Sequence, residues 1–166
     1  MRIAEGSVAD WAPGMTFVKN TWHHFTVTRD GINVITPYVD GIAYTGQQRT
    51  ISGTFAPDRI GEVAGSFFEG NIKNVAIWER ALTATEVQNV MYKTYPEVGG
   101  RLASGLVSWW SLESTGTPIS FADSHGSNTG TNSGATSDND LYGGDTPVKP
   151  RAIDNAPTVQ SDAIGA

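Results

Sequence analysis

The sequence predicts an all-β fold, a sandwich or jelly roll of antiparallel sheets with one short helix. Three observations predict it. Turn signals built on Gly, Pro, Asn and Asp recur about every ten residues through the first half of the chain. Between them apolar and polar residues alternate, the period of a half-buried strand. Charged residues make up only 17% of the 166, beside 19 glycines and 8 prolines, a balance foreign to helical bundles and coiled coils.

The elements follow in order. Met15 to Thr28 carries Met15, Phe17, Trp22, Phe25 and Val27 in rough alternation, which reads as strands interrupted near Lys19 and Asn20. Arg29-Asp30-Gly31 supplies a hairpin turn, because Asp-Gly tolerates the positive φ of tight turns. A strand from Asn33 to Val39 follows, and Asp40-Gly41 turns the chain into Ile42 to Thr45. Arg49 to Phe55 reads as a further strand closed by Pro57-Asp58; Ile60-Gly61 and Ser66 to Phe68 come next, punctuated by Gly65 and Gly70.

Asn71 to Glu79 is a strong strand. A short helix then begins at Thr83, which forms a capping box with Glu86, while Leu82 and Val87 occupy the two positions of a hydrophobic staple. Val87, Val90 and Met91 form its apolar stripe, and Pro96 with Gly99-Gly100 stops it. Leu106 to Leu112 is the last predicted strand. Residues 114–137 are rich in Gly, Ser, Thr and Asn and read as loop; residues 141–166, with Pro147, Pro150 and Pro157, read as an extended tail.

Composition excludes several function classes. Eleven Lys and Arg against seventeen Asp and Glu give a net charge of −6 with no basic cluster, so nucleic acid is not an expected partner. The absence of cysteine removes disulfides and thiolate chemistry. No run approaches the ~20 apolar residues of a membrane span, and the start lacks the apolar region of a signal peptide, so export is expected to occur within a larger particle or by lysis. Catalysis finds no pattern to rest on: neither a G-x-S-x-G nucleophile elbow nor a phosphate loop is present. His23 and His24 are neighbours on a predicted strand, point to opposite faces and cannot jointly chelate a metal.

Four ordered blocks carry a resemblance: Trp22-His23-His24-Phe25-Thr26-Val27, Tyr38-Val39-Asp40-Gly41, Ile60-Gly61, and Phe68 to Thr83 with the helix that follows. Together, over about residues 21–92, they resemble the closing half of the laminin-G-like, concanavalin A-like lectin/glucanase family. Gly105-Leu106-Val107-Ser108-Trp109-Trp110-Ser111-Leu112, followed by Asp123 to Thr131 and Gly134 to Thr136, resembles the opening of the same domain, so the halves stand in reversed order. The resemblance implies a concanavalin A-like jelly-roll sandwich of two antiparallel sheets. It divides the chain into a closing half at 1–93, a linker at 94–104, and an opening strand with loop and tail at 105–166. One permuted domain, parts of two tandem domains and strand exchange between chains are all compatible with that order. In each, the strand of Leu106 to Leu112 is expected to pair with that of Asn71 to Glu79.

The same resemblance frames the site residues. Trp22, Asp40, Gly41, Gly70, Trp78, Thr83, Glu86 and Trp109 take structural roles. Many family members bind calcium, and Asp123 is the candidate ligand here, against a plain Asx-turn; Lys73 and Asn74 replace the acidic pair usual in the closing strand, which weakens a cation site. Trp11, Tyr44, Trp110 and Tyr142 are candidate platforms for a sugar's apolar face. In the Trp109-Trp110 doublet one ring is expected in the core and one outward. The E-x-D-x-E carboxylates of related glucanases are absent. The expected function is a non-catalytic structural or decorating module of a virion or extracellular assembly, of the phage capsid decoration or tail-fibre type. It is expected to be homo-oligomeric, virion-surface or extracellular, with glycan adhesion as a secondary role. The alternative is a carbohydrate-binding module of a secreted protein; a glycan hydrolase is the weaker third.

Overall fold

A computed structural model describes residues 2–5, 7–10, 17–18, 21–54, 57–63, 65–112 and 121–135, with backbone alone for 2–5, 7–10 and 63. The described chain is mostly β, with antiparallel sheets and one α-helix, consistent with a concanavalin A-like sandwich. β1 (Arg2–Glu5) and β2 (Ser7–Asp10) pair with each other. β3 (Phe25–Arg29) and β4 (Val34–Val39) form the longest ladder, from Phe25 opposite Val39 to Arg29 opposite Ile35. The other edge of β4 takes two short partners end to end, β5 (Ile42–Ala43) and β6 (Arg49–Thr50). Pro37 is tolerated in this central strand for a positional reason. Its carbonyl, which accepts the Tyr44 N–H at 2.9 Å, faces the β5 side, so its missing N–H falls at the break between β5 and β6.

The turns differ in how they are made. At Asp40-Gly41 both residues have positive φ, 49° and 76°, giving the two-residue hairpin the sequence predicts. A side chain at Gly41 would also strike Gln88 Cγ at 2.9 Å, so the turn is where the helix seats on the sheet. The Asp30-Gly31 turn is longer than predicted. Asn33, with φ 67°, takes the left-handed position, and Asp30 Oδ1 accepts the N–H groups of Ile32 and Val34 at 3.0 and 2.8 Å. The strand expected over Arg49 to Phe55 is cut to Arg49–Thr50, with Phe55 itself outside the described residues. β7 (Glu62–Val63) and β8 (Ser66–Phe67) form a small separate hairpin.

β9 (Val75–Trp78) pairs antiparallel with β10 (Leu106–Trp110), with Trp110 opposite Val75, Trp109 opposite Ala76 and Leu106 opposite Trp78. The pairing expected between these two stretches is therefore present, within one chain. A bulge at Val107 interrupts it, and Asn74 and Leu112, at φ 53° and 59°, end it on both strands. Between the strands runs α1 (Ala84–Val90), entered through the predicted capping box: Glu86 N–H donates to Thr83 Oγ1 at 3.2 Å and Thr83 N–H to Glu86 Oε2 at 2.9 Å.

The core forms where these parts meet. Tyr38 from β4, Leu82 just before the helix, Val87 and Val90 within it, and Leu102, Leu106 and Trp109 make one buried cluster, against which Ala76, Trp78, Tyr95 and Val98 pack. Residues 94–104 are tied down throughout. Short 3-10 turns at Tyr95–Glu97 and Gly100–Leu102 shape the segment, and the Trp78 indole N–H donates to the Leu102 carbonyl at 2.7 Å.

Candidate functional site

Asp123 organises the loop that lies over β10. Its Oδ1 accepts the N–H groups of Trp109, His125 and Gly126 at 3.0, 3.0 and 2.9 Å, and its Oδ2 accepts that of Asn128 at 3.1 Å. Burial alone would raise the carboxyl's pKa, but the amides of Gly126, Trp109 and His125 and the Ser108 hydroxyl together outweigh it and hold the group well below the ordinary carboxylate range. Gly126 has no room for a side chain, since a Cβ would stand 2.6 Å from the Val107 carbonyl oxygen and 2.8 Å from Asp123 Oδ2. This is the Asx-turn reading in extended form.

Calcium does not fit Asp123 as it stands. A cation needs lone pairs presented by several oxygens, whereas here four backbone N–H dipoles converge on one carboxylate with their positive ends inward. Among the described residues no group of three or more His, Asp or Glu comes together.

The tryptophan doublet is buried on both faces. Trp109 is 2% exposed, in edge contact with Trp78 (ring centroids 6.3 Å apart, 82° between planes) and tilted against Tyr95. Trp110 is 9% exposed, its indole N–H donating to the Asn128 carbonyl at 2.6 Å. The expectation of an outward ring at this doublet, and of Trp110 as a sugar platform, is therefore corrected. Adjacent rings do leave opposite faces of the strand, but the Asp123 loop covers the second face. Tyr44 is half-buried at the entry to a 3-10 turn; Trp11 and Tyr142 lie outside the described residues. The structure thus brings Trp109, Trp110 and Asp123 together.

Some residues escape sequence reasoning. Tyr95 sits between Trp109 and His125, its hydroxyl 3.3 Å from His125 Nδ1. Arg80 grips Glu86 through two bonds of 2.9 Å and donates to the carbonyls of Arg101 and Ser104 at 2.6 and 2.8 Å. Neither spacing is helical or strand-like, so no periodicity reveals them; only the Thr83/Glu86 box hints that a partner for Glu86 is near. The exposed apolar surface was likewise unmarked: Phe67 is 70% exposed and Phe68 60%, the latter ring resting on Gly70. Beside them Arg59 pairs with Glu62, whose second oxygen accepts the Gly65 N–H.

Trp22 is half-buried. Asp40 joins two strands' ends, accepting the His24 N–H at 2.8 Å on Oδ1 and lying 2.7 Å from His23 Nδ1 through Oδ2. The hydrogen bond to Asp40 raises the pKa of His23, whereas burial lowers that of His24.

Residues 2–88 match a laminin G-type model of the concanavalin A-like lectin/glucanases superfamily, and the chain belongs to that superfamily. The match begins nearer the amino end than the motif blocks do and stops within α1, so β10 and the Asp123 loop lie outside it. No curated protein matches the chain, and no solved structure does.

Proposed function

We propose that the protein is a non-catalytic structural and adhesive module of an extracellular or virion-surface assembly, with glycan adhesion as a secondary role. Membership of a superfamily of lectins and glucanases supports the adhesive part. What supports the non-catalytic part is the absence of an E-x-D-x-E carboxylate pattern from the sequence. Glycoside hydrolysis needs an acid whose pKa is raised beside a second carboxylate. Glu62, Glu86 and Asp123 are all shifted the opposite way, each by hydrogen bonds that occupy its oxygens. The exposed Phe67 and Phe68 offer adjacent apolar side chains for contact with another surface.

A glycan array together with size-exclusion chromatography and light scattering tests the proposal. The expected result is a mass above that of one chain, with weak or selective glycan binding and no hydrolysis products. A monomer that binds no glycan overturns it, as does release of reducing sugar. A monomer that binds glycans supports instead the alternative of a secreted carbohydrate-binding module.

A further inference from the structure

The segment Phe17–Val18 carries two exposed apolar side chains, 47% and 66% exposed, and meets the rest of the protein at the His23 ring. Phe17 stands edge-on to that ring, with centroids 5.5 Å apart. Three contacts surround the imidazole. Nδ1 lies 2.7 Å from Asp40 Oδ2; Nε2 lies 3.0 Å from the Val18 nitrogen, whose N–H points at it, and 3.2 Å from the Val18 carbonyl oxygen.

These contacts are mutually exclusive in part. A nitrogen can accept the Val18 N–H only while it carries a lone pair, and can donate to the Val18 carbonyl only while it carries a proton. With Nδ1–H directed to Asp40, the neutral ring leaves Nε2 free to accept. A second proton converts Nε2 into a donor facing an N–H, so the Val18 N–H has to move off the ring and the Val18 carbonyl, already 3.2 Å away, becomes the acceptor.

We propose that His23 is a proton-operated latch on the Phe17–Val18 segment: the neutral ring holds Val18 by its N–H, the imidazolium holds it by its carbonyl, and the exposed apolar pair is re-seated as the ring titrates. Asp40 makes the device usable near neutral pH. It is fixed at the β4–β5 turn by a reciprocal pair of 2.8 Å bonds with the backbone of His24, so its carboxylate stays on Nδ1 in both states. Its hydrogen bond and charge raise the pKa of His23 against a smaller opposing effect of burial. The other titratable groups around Asp40 do not compete in this range. Burial lowers the pKa of His24, in the direction opposite to His23, and burial with the Asp40 charge raises that of Tyr92, just beyond α1, further from neutrality.

Amide and imidazole nitrogen resonances followed by NMR from pH 5 to 9 test the latch on the intact chain. The Val18 amide is expected to shift with the same midpoint as the His23 ring, above the ordinary histidine value of about 6.5. Asp40→Asn, which retains an acceptor for the His24 N–H and tolerates the left-handed backbone, turns an NH2 group to Nδ1 and moves the neutral ring's proton to Nε2, so the His23 midpoint is expected to fall by about one pH unit and the Val18 step to shrink, Nε2 then being a donor in both states. In His23→Gln the Val18 step should vanish. A Val18 amide that stays still while His23 titrates overturns the proposal, as does a Val18 step that survives in His23→Gln. Should Asp40→Asn fail to fold, hydrogen exchange at Val18 in the unaltered protein decides: equal protection on both sides of the His23 midpoint also overturns it.

Discussion

Arg80 and Glu86 meet through two parallel hydrogen bonds of 2.9 Å, and the same guanidinium reaches the carbonyls of Arg101 and Ser104. One side chain therefore ties the start of the helix to the stretch that returns the chain to β10. The pair holds Glu86 at about 2, with the Arg80 hydrogen bonds the main cause. A carboxylate with a depressed folded pKa stabilises the fold above its unfolded value and loses that contribution as pH falls toward the folded one. Glu86→Gln should therefore flatten the loss of stability between about pH 4.5 and 2, read as melting temperature against pH. Thr83→Ala, which removes the cap together with the hydroxyl's hydrogen bond to Glu86 Oε2, should cost about 1 kcal/mol and flatten that pH profile less than Glu86→Gln does.

Asp123→Ala removes the acceptor for four backbone N–H groups at once. The partly buried Trp109 N–H left without a partner, beside three exposed N–H groups that water can reach, predicts a loss of about 1–3 kcal/mol in chemical denaturation. Added calcium should leave the stability of the unaltered protein unchanged. Gly126→Ala should cost about 1–3 kcal/mol, because its Cβ meets the Val107 carbonyl rather than a movable side-chain end.

Trp110 separates a packing role from a binding one. Trp110→Phe keeps most of the buried ring and loses the bond to the Asn128 carbonyl, so about 1–2 kcal/mol is expected. Trp110→Ala should cost about 3–5 kcal/mol. A glycan signal that vanished in Trp110→Phe with stability intact would show the ring to be reachable by ligand.

The two adjacent histidines should pull stability in opposite directions with pH. His23, raised by its bond to Asp40, contributes stability that is complete below the ordinary histidine value and is lost as pH rises through its folded pKa. His24, lowered chiefly by burial, destabilises the fold as pH drops below the ordinary value toward its folded pKa. Thermal melts from pH 5 to 9 should show His23→Gln losing most in acid and His24→Gln losing least there.

Much of this architecture was legible because it rests on local chemistry. The capping box at Thr83 and Glu86 and the Asp40-Gly41 turn need only neighbouring residues, and both appear as read. The β9–β10 ladder was legible for a different reason, since two apolar runs matched adjacent strands of a known fold. What failed depended on contacts distant in sequence. Whether Trp110 faces water is decided by residues 121–130, a polar stretch with no periodicity to announce that it would cover the strand. Arg80 reaches carbonyls 21 and 24 residues away, a reach that charge patterning along one element cannot show. At the β3–β4 hairpin Asp-Gly pointed to the right turn but the wrong residue, because the Asp30 side chain moved the left-handed position on to Asn33.

The interior of this protein does not stop where the superfamily pattern does. Val90, Leu102, Leu106 and Trp109, four of the seven residues of the central cluster, come after residue 88. A gene fragment trimmed to the recognisable motif would strip the indole of Trp78 of both its aromatic neighbour and its acceptor, and would yield a sticky, poorly expressed polypeptide. Cloning boundaries for this molecule belong beyond the Asp123 loop.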